Sequence, residues 1–194
     1  MTSGDDTANE ARAARRAALT PPVGAPPLPD RLPGEEAYDI RIARDGTWFH
    51  NGEPIHRIEL AKLFATILQR DAVGDYWLMT PVEHGRIWVE DAPFVAVEMT
   101  VAGEGAEQAL SFRTNLDQWV AAGPDHPIRV AVHPDSGEPT PYIVASKGLE
   151  ARIARPVFYD MVARSDARAT ESGESEVGVW SNGVFFALGT LPEE

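Results

Sequence analysis

Apolar and polar residues alternate along much of this chain, and one stretch breaks the alternation with a longer period. Tyr38, Ile40 and Ile42 alternate with Asp39, Arg41 and Ala43, placing three apolar side chains on one face of a half-buried strand. Asp45-Gly46 follows as a two-residue hairpin signal, residues 47–50 form the returning strand, and Asn51-Gly52 makes a second turn. From 57 to 70 the period lengthens. Leu60, Ala61, Leu63, Phe64, Ile67 and Leu68 recur at three- and four-residue spacing, which predicts a helix with Leu63 on its buried face and Gly74 just beyond its end. Residues 76–80 and 86–90 then predict a hairpin carrying Trp77 and Trp88.

Further along, Val95, Val97, Met99 and Val101 alternate with Ala96, Glu98 and Thr100, a long strand with one wet face, and the chain returns through 110–114. Residues 115–120 predict a single helical turn. Ile128, Val130 and Val132 give another alternating strand, and 142–145 a short apolar one. Pro156 opens a second helix, with Val157, Phe158, Met161 and Val162 as its buried stripe. Residues 166–176 are polar and acidic and predict a mobile loop, and a final hairpin turns at Asn182-Gly183.

Two stretches share wording. Ile-Arg-Ile-Ala at 40–43 returns as Ile-Arg-Val-Ala at 128–131, and Gly52-Glu53-Pro54 returns as Gly137-Glu138-Pro139. Each passes into one helix and then a hairpin. The expected fold class is therefore α+β: two tandem duplicated units of hairpin, helix and hairpin, antiparallel sheets each packed by a helix, the second unit larger. The units divide as 37–92 and 93–194, behind a disordered Pro- and Ala-rich leader at 1–36.

Composition narrows the function classes. The net charge of −13 argues against a nucleic-acid or anionic-membrane binder, because such proteins neutralise phosphates with a basic face. No apolar run is long enough for a membrane helix and the N-terminus lacks a signal-peptide core, so a soluble cytoplasmic protein is expected. The chain has no Cys, which removes thiolate catalysis and Cys-based metal sites. Phosphate-loop, dinucleotide-fingerprint, zinc-helix and nucleophile-elbow patterns are missing, and no nucleophile, base and orienter assemble from the sequence. No cofactor, metal or catalytic residue is expected.

One feature stands against the acidic background. Residues 147–155 hold Lys147, Arg152 and Arg155 against Glu150 and lead into a helix N-terminus at Pro156. The first helix likewise begins behind His56-Arg57. Cations there oppose the helix dipole, whereas an anion docked between them would be favoured; pairing with Glu59, Glu150 or Asp160 is the competing reading. Arg113 and Asn115 add a cation and an amide at a strand end beside the seam between units. The candidate ligand residues are thus Arg57, Arg113, Asn115, Lys147, Arg152 and Arg155.

Phe112-Arg113-Thr114-Asn115, the run from Gly123 to Val130, the run from Gly148 to Tyr159, and the run from Asp45 to Ile55 resemble the bacterial family called domain of unknown function 1285. The resemblance spans about residues 38 to 190. It implies a two-part fold with a duplicated motif and a second part loosely similar to pleckstrin-homology folds. It also implies a ligand site at the interface of the parts, for a nucleotide-like molecule, and a signalling role; it supplies no catalytic residue. The functional expectation is a binding protein that senses a small anionic ligand at the seam. The alternative is a protein-interaction adaptor using strand edges near 140–146 and the acidic loop.

Overall fold

The computed structural model describes residues 36–169 and 175–191. The leader and the middle of the acidic loop lie outside the described residues.

The N-terminal unit is one six-stranded sheet with a helix. Its elements are β1 (Glu36–Ile42), β2 (Trp48–His50), β3 (Glu53–Pro54), α1 (Ile58–Ile67), β4 (Leu68–Arg70), β5 (Tyr76–Met79) and β6 (His84–Val89). Strand order is β3-β2-β1-β6-β5-β4. Two antiparallel meanders are therefore joined in the middle by the parallel pair β1 and β6. Turns form at both expected places: Gly46 has φ +86 in a loop closed between Ala43 and Thr47, three residues rather than two, and Asn51 and Gly52 both take positive φ. The Asp45 carboxylate accepts from the Thr47 N–H at 2.9 Å, and these Thr47 hydrogen bonds hold it below the usual carboxylate range. Gly85 permits a close approach, since a Cβ there would lie 2.4 Å from the Tyr38 ring.

The C-terminal unit contains β7 (Phe94–Ala102), β8 (Ala109–Thr114), β9 (Trp119–Ala121), β10 (Ile128–Val132), β11 (Pro139–Val144), β12 (Glu150–Ile153), α2 (Arg155–Val162), β13 (Asp166–Ala169), β14 (Ser175–Ser181) and β15 (Val184–Leu191). Strands β7 to β12 make a second six-stranded sheet in the order β10-β11-β12-β7-β8-β9, with β12 parallel to β7. Strands β13 to β15 form a separate antiparallel sheet. Ser181 stitches this sheet to the larger one: its buried hydroxyl donates to the Ala122 carbonyl at 2.8 Å and accepts from the Leu110 N–H at 2.9 Å. One continuous apolar core runs through both units, from Ile42 and Leu68 to Phe112, Ile153, Met161 and Val179.

The class is α+β, with corrections. Both six-stranded sheets are mixed rather than antiparallel. The order of three strands, one helix and three strands does recur from β1–β6 to β10–β15, in the phase the repeated words imply. The pairing does not follow that phase: β1 pairs with β6 in one sheet, whereas β10–β12 and β13–β15 lie in different sheets. The arrangement that recurs in space is β1–β6 with β7–β12, the same strand order with the same central parallel pair.

Local differences have local causes. The first helix stops at Ile67, and 68–70 form β4, where Leu68 pairs with Leu78 and is fully buried. Leu63 is 58% exposed instead of buried, because Ala61 is the residue that α1 turns into the core. A β-bulge between Ala96 and Glu98 shifts the parity of β7, so Phe94 and Ala96 point inward while Val97 is exposed. Residues 115–118 form a turn and Trp119 begins β9, in place of a helical turn. Residues 166–169 and 175–176 are paired strand rather than loop.

Candidate functional site

The junction between the units sets the site. Strand β6 ends at Val89, and Asp91 follows as the chain crosses to β7. On the second sheet, Arg129, Tyr142 and Arg152 are cross-strand partners in sequence, Arg129 opposite Tyr142 and Tyr142 opposite Arg152. Val95 on β7 extends this row. Side chains in one such row share one face.

Asp91 is where the row meets the N-terminal unit. The Tyr142 hydroxyl donates to Asp91 Oδ1 at 2.7 Å. Arg44 Nε and Arg152 Nε approach Asp91 Oδ2 at 3.4 and 3.5 Å, and Arg152 also donates to the Arg44 carbonyl at 3.0 Å. Beside them, Arg129 grips Glu150 with both prongs at 2.6 and 2.8 Å and lies over the Tyr142 ring at 4.3 Å. Three guanidiniums thus face two carboxylates.

The electrostatics reflect burial. Tyr142 is pushed up from the ordinary phenol value by burial, with the charge and hydrogen bond of Asp91 acting the same way. Tyr76, reaching the same region from β5, is pushed up to about 12, chiefly by burial. For Arg129, burial pulls the guanidinium down, and Glu150 more than reverses it. Within this paired network two atoms stand apart: Asp91 Oδ2 and Arg152 Nε are buried with no hydrogen-bond partner among the described residues. Their 3.5 Å separation is a charge contact without hydrogen-bond geometry. Buried polar atoms are normally satisfied, so this pair is the unusual part of the cluster.

The comparisons fit a two-unit chain. The family model for the N-terminal domain of DUF1285, a domain of unknown function, matches residues 26–92, and the model for the DUF1285 C-terminal domain, a protein of unknown function, matches residues 93–188. The chain belongs to the DUF1285 family. Among solved structures it is similar to a DUF1285 family protein from Silicibacter pomeroyi, at 41% identity and TM-score 0.75 over 93% of this chain and 95% of that one. It is also similar to a DUF1285 family protein from Shewanella baltica, at 27% identity and TM-score 0.53 over 66% of this chain and 94% of that one. No curated protein matches the chain.

In this DUF1285 protein the residues singled out from sequence do not converge on one point. Arg152 is part of the Asp91 cluster. Asn115 holds the seam: its Oδ1 accepts from the Val95 N–H at 2.9 Å and its Nδ2 donates to the Gly46 carbonyl at 3.1 Å. Lys147 donates across the seam to the Thr66 carbonyl. Arg113 is taken up by Glu98 at 2.6 Å and Asp117 at 3.0 Å, and Asp117 in turn meets Lys62 of α1 at 3.0 Å. Arg155 is exposed and paired with Glu138. Arg57 precedes α1, exposed and without a side-chain cap.

Most of these cations are thus already occupied by carboxylates or carbonyls. The partners are Asp91, Glu98, Asp117, Glu138 and the Thr66 carbonyl, not the neighbours Glu59, Glu150 or Asp160. Sequence reasoning missed Arg44, Asp91, Arg129, Tyr142 and Glu150. Only strand register brings them together, although Arg129 and Glu150 do stand out as charges within apolar strands. Among the described residues no cluster of His, Asp and Glu suited to a metal ion occurs, and no helix is long and apolar enough to cross a membrane.

Proposed function

We propose that this protein is a binding module with a signalling role that senses a small anionic, nucleotide-like ligand at the seam, around Arg44, Asp91, Tyr142 and Arg152. The observation that carries this reading is the buried Arg152 Nε donor, without a hydrogen bond among the described residues, next to an exposed Arg44. A phosphate or carboxylate entering there would compete with Asp91 Oδ2 for both guanidiniums, while Asp91 Oδ1 would keep its bond from Tyr142. Arg129 and Glu150 form a rigid, satisfied wall beside it. The likeness of the second unit to pleckstrin-homology folds, carried by the family resemblance, belongs to the same reading.

A thermal-shift screen with inorganic phosphate, nucleotides, cyclic nucleotides, sugar phosphates and acyl phosphates tests it. A ligand at a hundred times its dissociation constant adds about 2.7 kcal/mol, raising the midpoint by roughly 5 to 10 °C for a chain of this size. Arg44→Gln with Arg152→Gln abolishes the shift. A panel that leaves the midpoint unmoved defeats the proposal.

A second reading, a protein-interaction adaptor, is favoured by the apolar side chains that α1 exposes, Ile58, Leu60 and Leu63. Within 140–146, residues 142–144 are covered on the β12 side, while Thr140 and Pro141 pair only with β10.

A further inference from the structure

Helix α1 is poorly equipped to stand alone. Its N-cap residue, Arg57, makes no side-chain capping bond and sets a cation at the positive end of the helix dipole. Its last turn contains no basic residue, and of its ten residues only Ala61 is buried. A helix this short draws most of its stability from tertiary contacts.

What α1 lacks, the other unit supplies. Lys147 donates its ammonium to the Thr66 carbonyl in the last turn of α1, where a cation complements the dipole. To reach it, Lys147 takes a left-handed backbone, φ 56 and ψ 27, which disfavours any residue with a Cβ. In the opposite direction, Lys62 of α1 reaches Asp117 of the C-terminal unit at 3.0 Å. Lys62 and Lys147 are the two lysines of the whole chain. Each unit therefore sends one ammonium to the other, and both act on α1. Beneath the helix, Phe64 stacks on Trp48 at 6.0 Å, and Trp48 is 2% exposed with an indole N–H that has no partner among the described residues. A buried donor without an acceptor lowers the cost of opening, because water satisfies it once uncovered.

We infer that α1 is a conditional cover: its helicity depends on docking to the C-terminal unit through Lys62 and Lys147, and release of those two contacts lifts it locally from Trp48. This inference stands apart from the seam ligand, since it uses neither Asp91 nor Arg152. The couple it describes links separation of the units to exposure of one aromatic pair, a local opening well below global unfolding.

Amide hydrogen exchange on the full chain tests it, comparing the natural sequence with Lys147→Gly, Lys62→Gln and the double variant. Glycine at 147 removes the amine and relieves the left-handed backbone, so the variant keeps its fold. Losing an exposed charged contact predicts exchange about two- to fivefold faster for amides of α1 in each single variant, more in the double variant, and unchanged protection in β5 and β6. Protection of α1 equal to that of the natural sequence in the double variant overturns the inference. So does an equal loss in α1, β5 and β6, which would make α1 part of one cooperative block.

Discussion

The amide of Asn115 and the backbone of Gly46 fit each other in two senses. The Asn115 Nδ2 donates to the Gly46 carbonyl at 3.1 Å, and a Cβ built on Gly46 would come within 2.5 Å of that nitrogen. Gly46 also takes φ +86, which L side chains rarely adopt. Gly46→Ala therefore combines backbone strain with a broken contact between units and destabilises by about 2 kcal/mol or more. Asn115→Ala leaves the Val95 N–H unsatisfied and costs about 1 to 3 kcal/mol. Urea unfolding of both variants measures this; values within about 0.5 kcal/mol of the natural protein refute it.

Arg129 and Glu150 form the best-satisfied charge pair of the cluster. Glu150→Gln strands the half-buried guanidinium and destabilises by about 2 kcal/mol, a figure discounted for the part of Arg129 that meets solvent. Arg129→Met with Glu150→Leu removes both charges and recovers most of the loss. A double variant less stable than Glu150→Gln contradicts this account.

Alkaline pH weakens the fold through Tyr76. Its folded value of about 12 lies above the ordinary phenol value of 10.0. Between those values the unfolded chain has lost the phenol proton and the folded chain keeps it, so stability falls as pH rises, by up to about 1.4 kcal/mol per pH unit. The contribution is fully present below pH about 10. Denaturant unfolding from pH 9 to 11 should show this slope reduced in Tyr76→Phe; an identical slope in the variant removes the assignment.

Leu63 and Leu68 lie five residues apart and have opposite fates. Leu68→Ala, at a fully buried position of β4, costs about 2 to 5 kcal/mol. Leu63→Ala, on the exposed side of α1, changes stability by about 0.5 kcal/mol or less. Chemical denaturation separates the two, and comparable losses would place Leu63 in the core.

These positions show which features can be read from sequence. The turn at Asn182-Gly183 was legible because the backbone it needs is encoded in two adjacent residues, and Gly46 marked the place of the earlier turn though not its length. The end of α1 was not, because Leu68 is claimed by Leu78 on a neighbouring strand, and a helical period cannot report a partner ten residues away. The register shift after Ala96 turned Val97 out of the expected apolar face of β7, while Val95, Met99 and Val101 stayed on the core, a one-residue event that alternation alone does not signal. The shared words at 40–43 and 128–131 identified real strands but implied the wrong spatial phase. Sheet order rests on the parallel pairs β1 with β6 and β7 with β12, each formed across dozens of residues. At the site, the cation excess before α2 pointed to Arg152, while Asp91, Tyr142 and Arg129 needed the register of three strands to be seen as neighbours.

The parallel pair at the centre of each six-stranded sheet governs how the chain travels. A segment that begins and ends on parallel neighbours enters at one rim and departs from the opposite one. Asp91 stands at that point of departure, beside the end of β1, and for this reason meets Arg44. The second sheet therefore starts only a few residues after the first ends, from Val89 to Phe94, and repeats the same strand order.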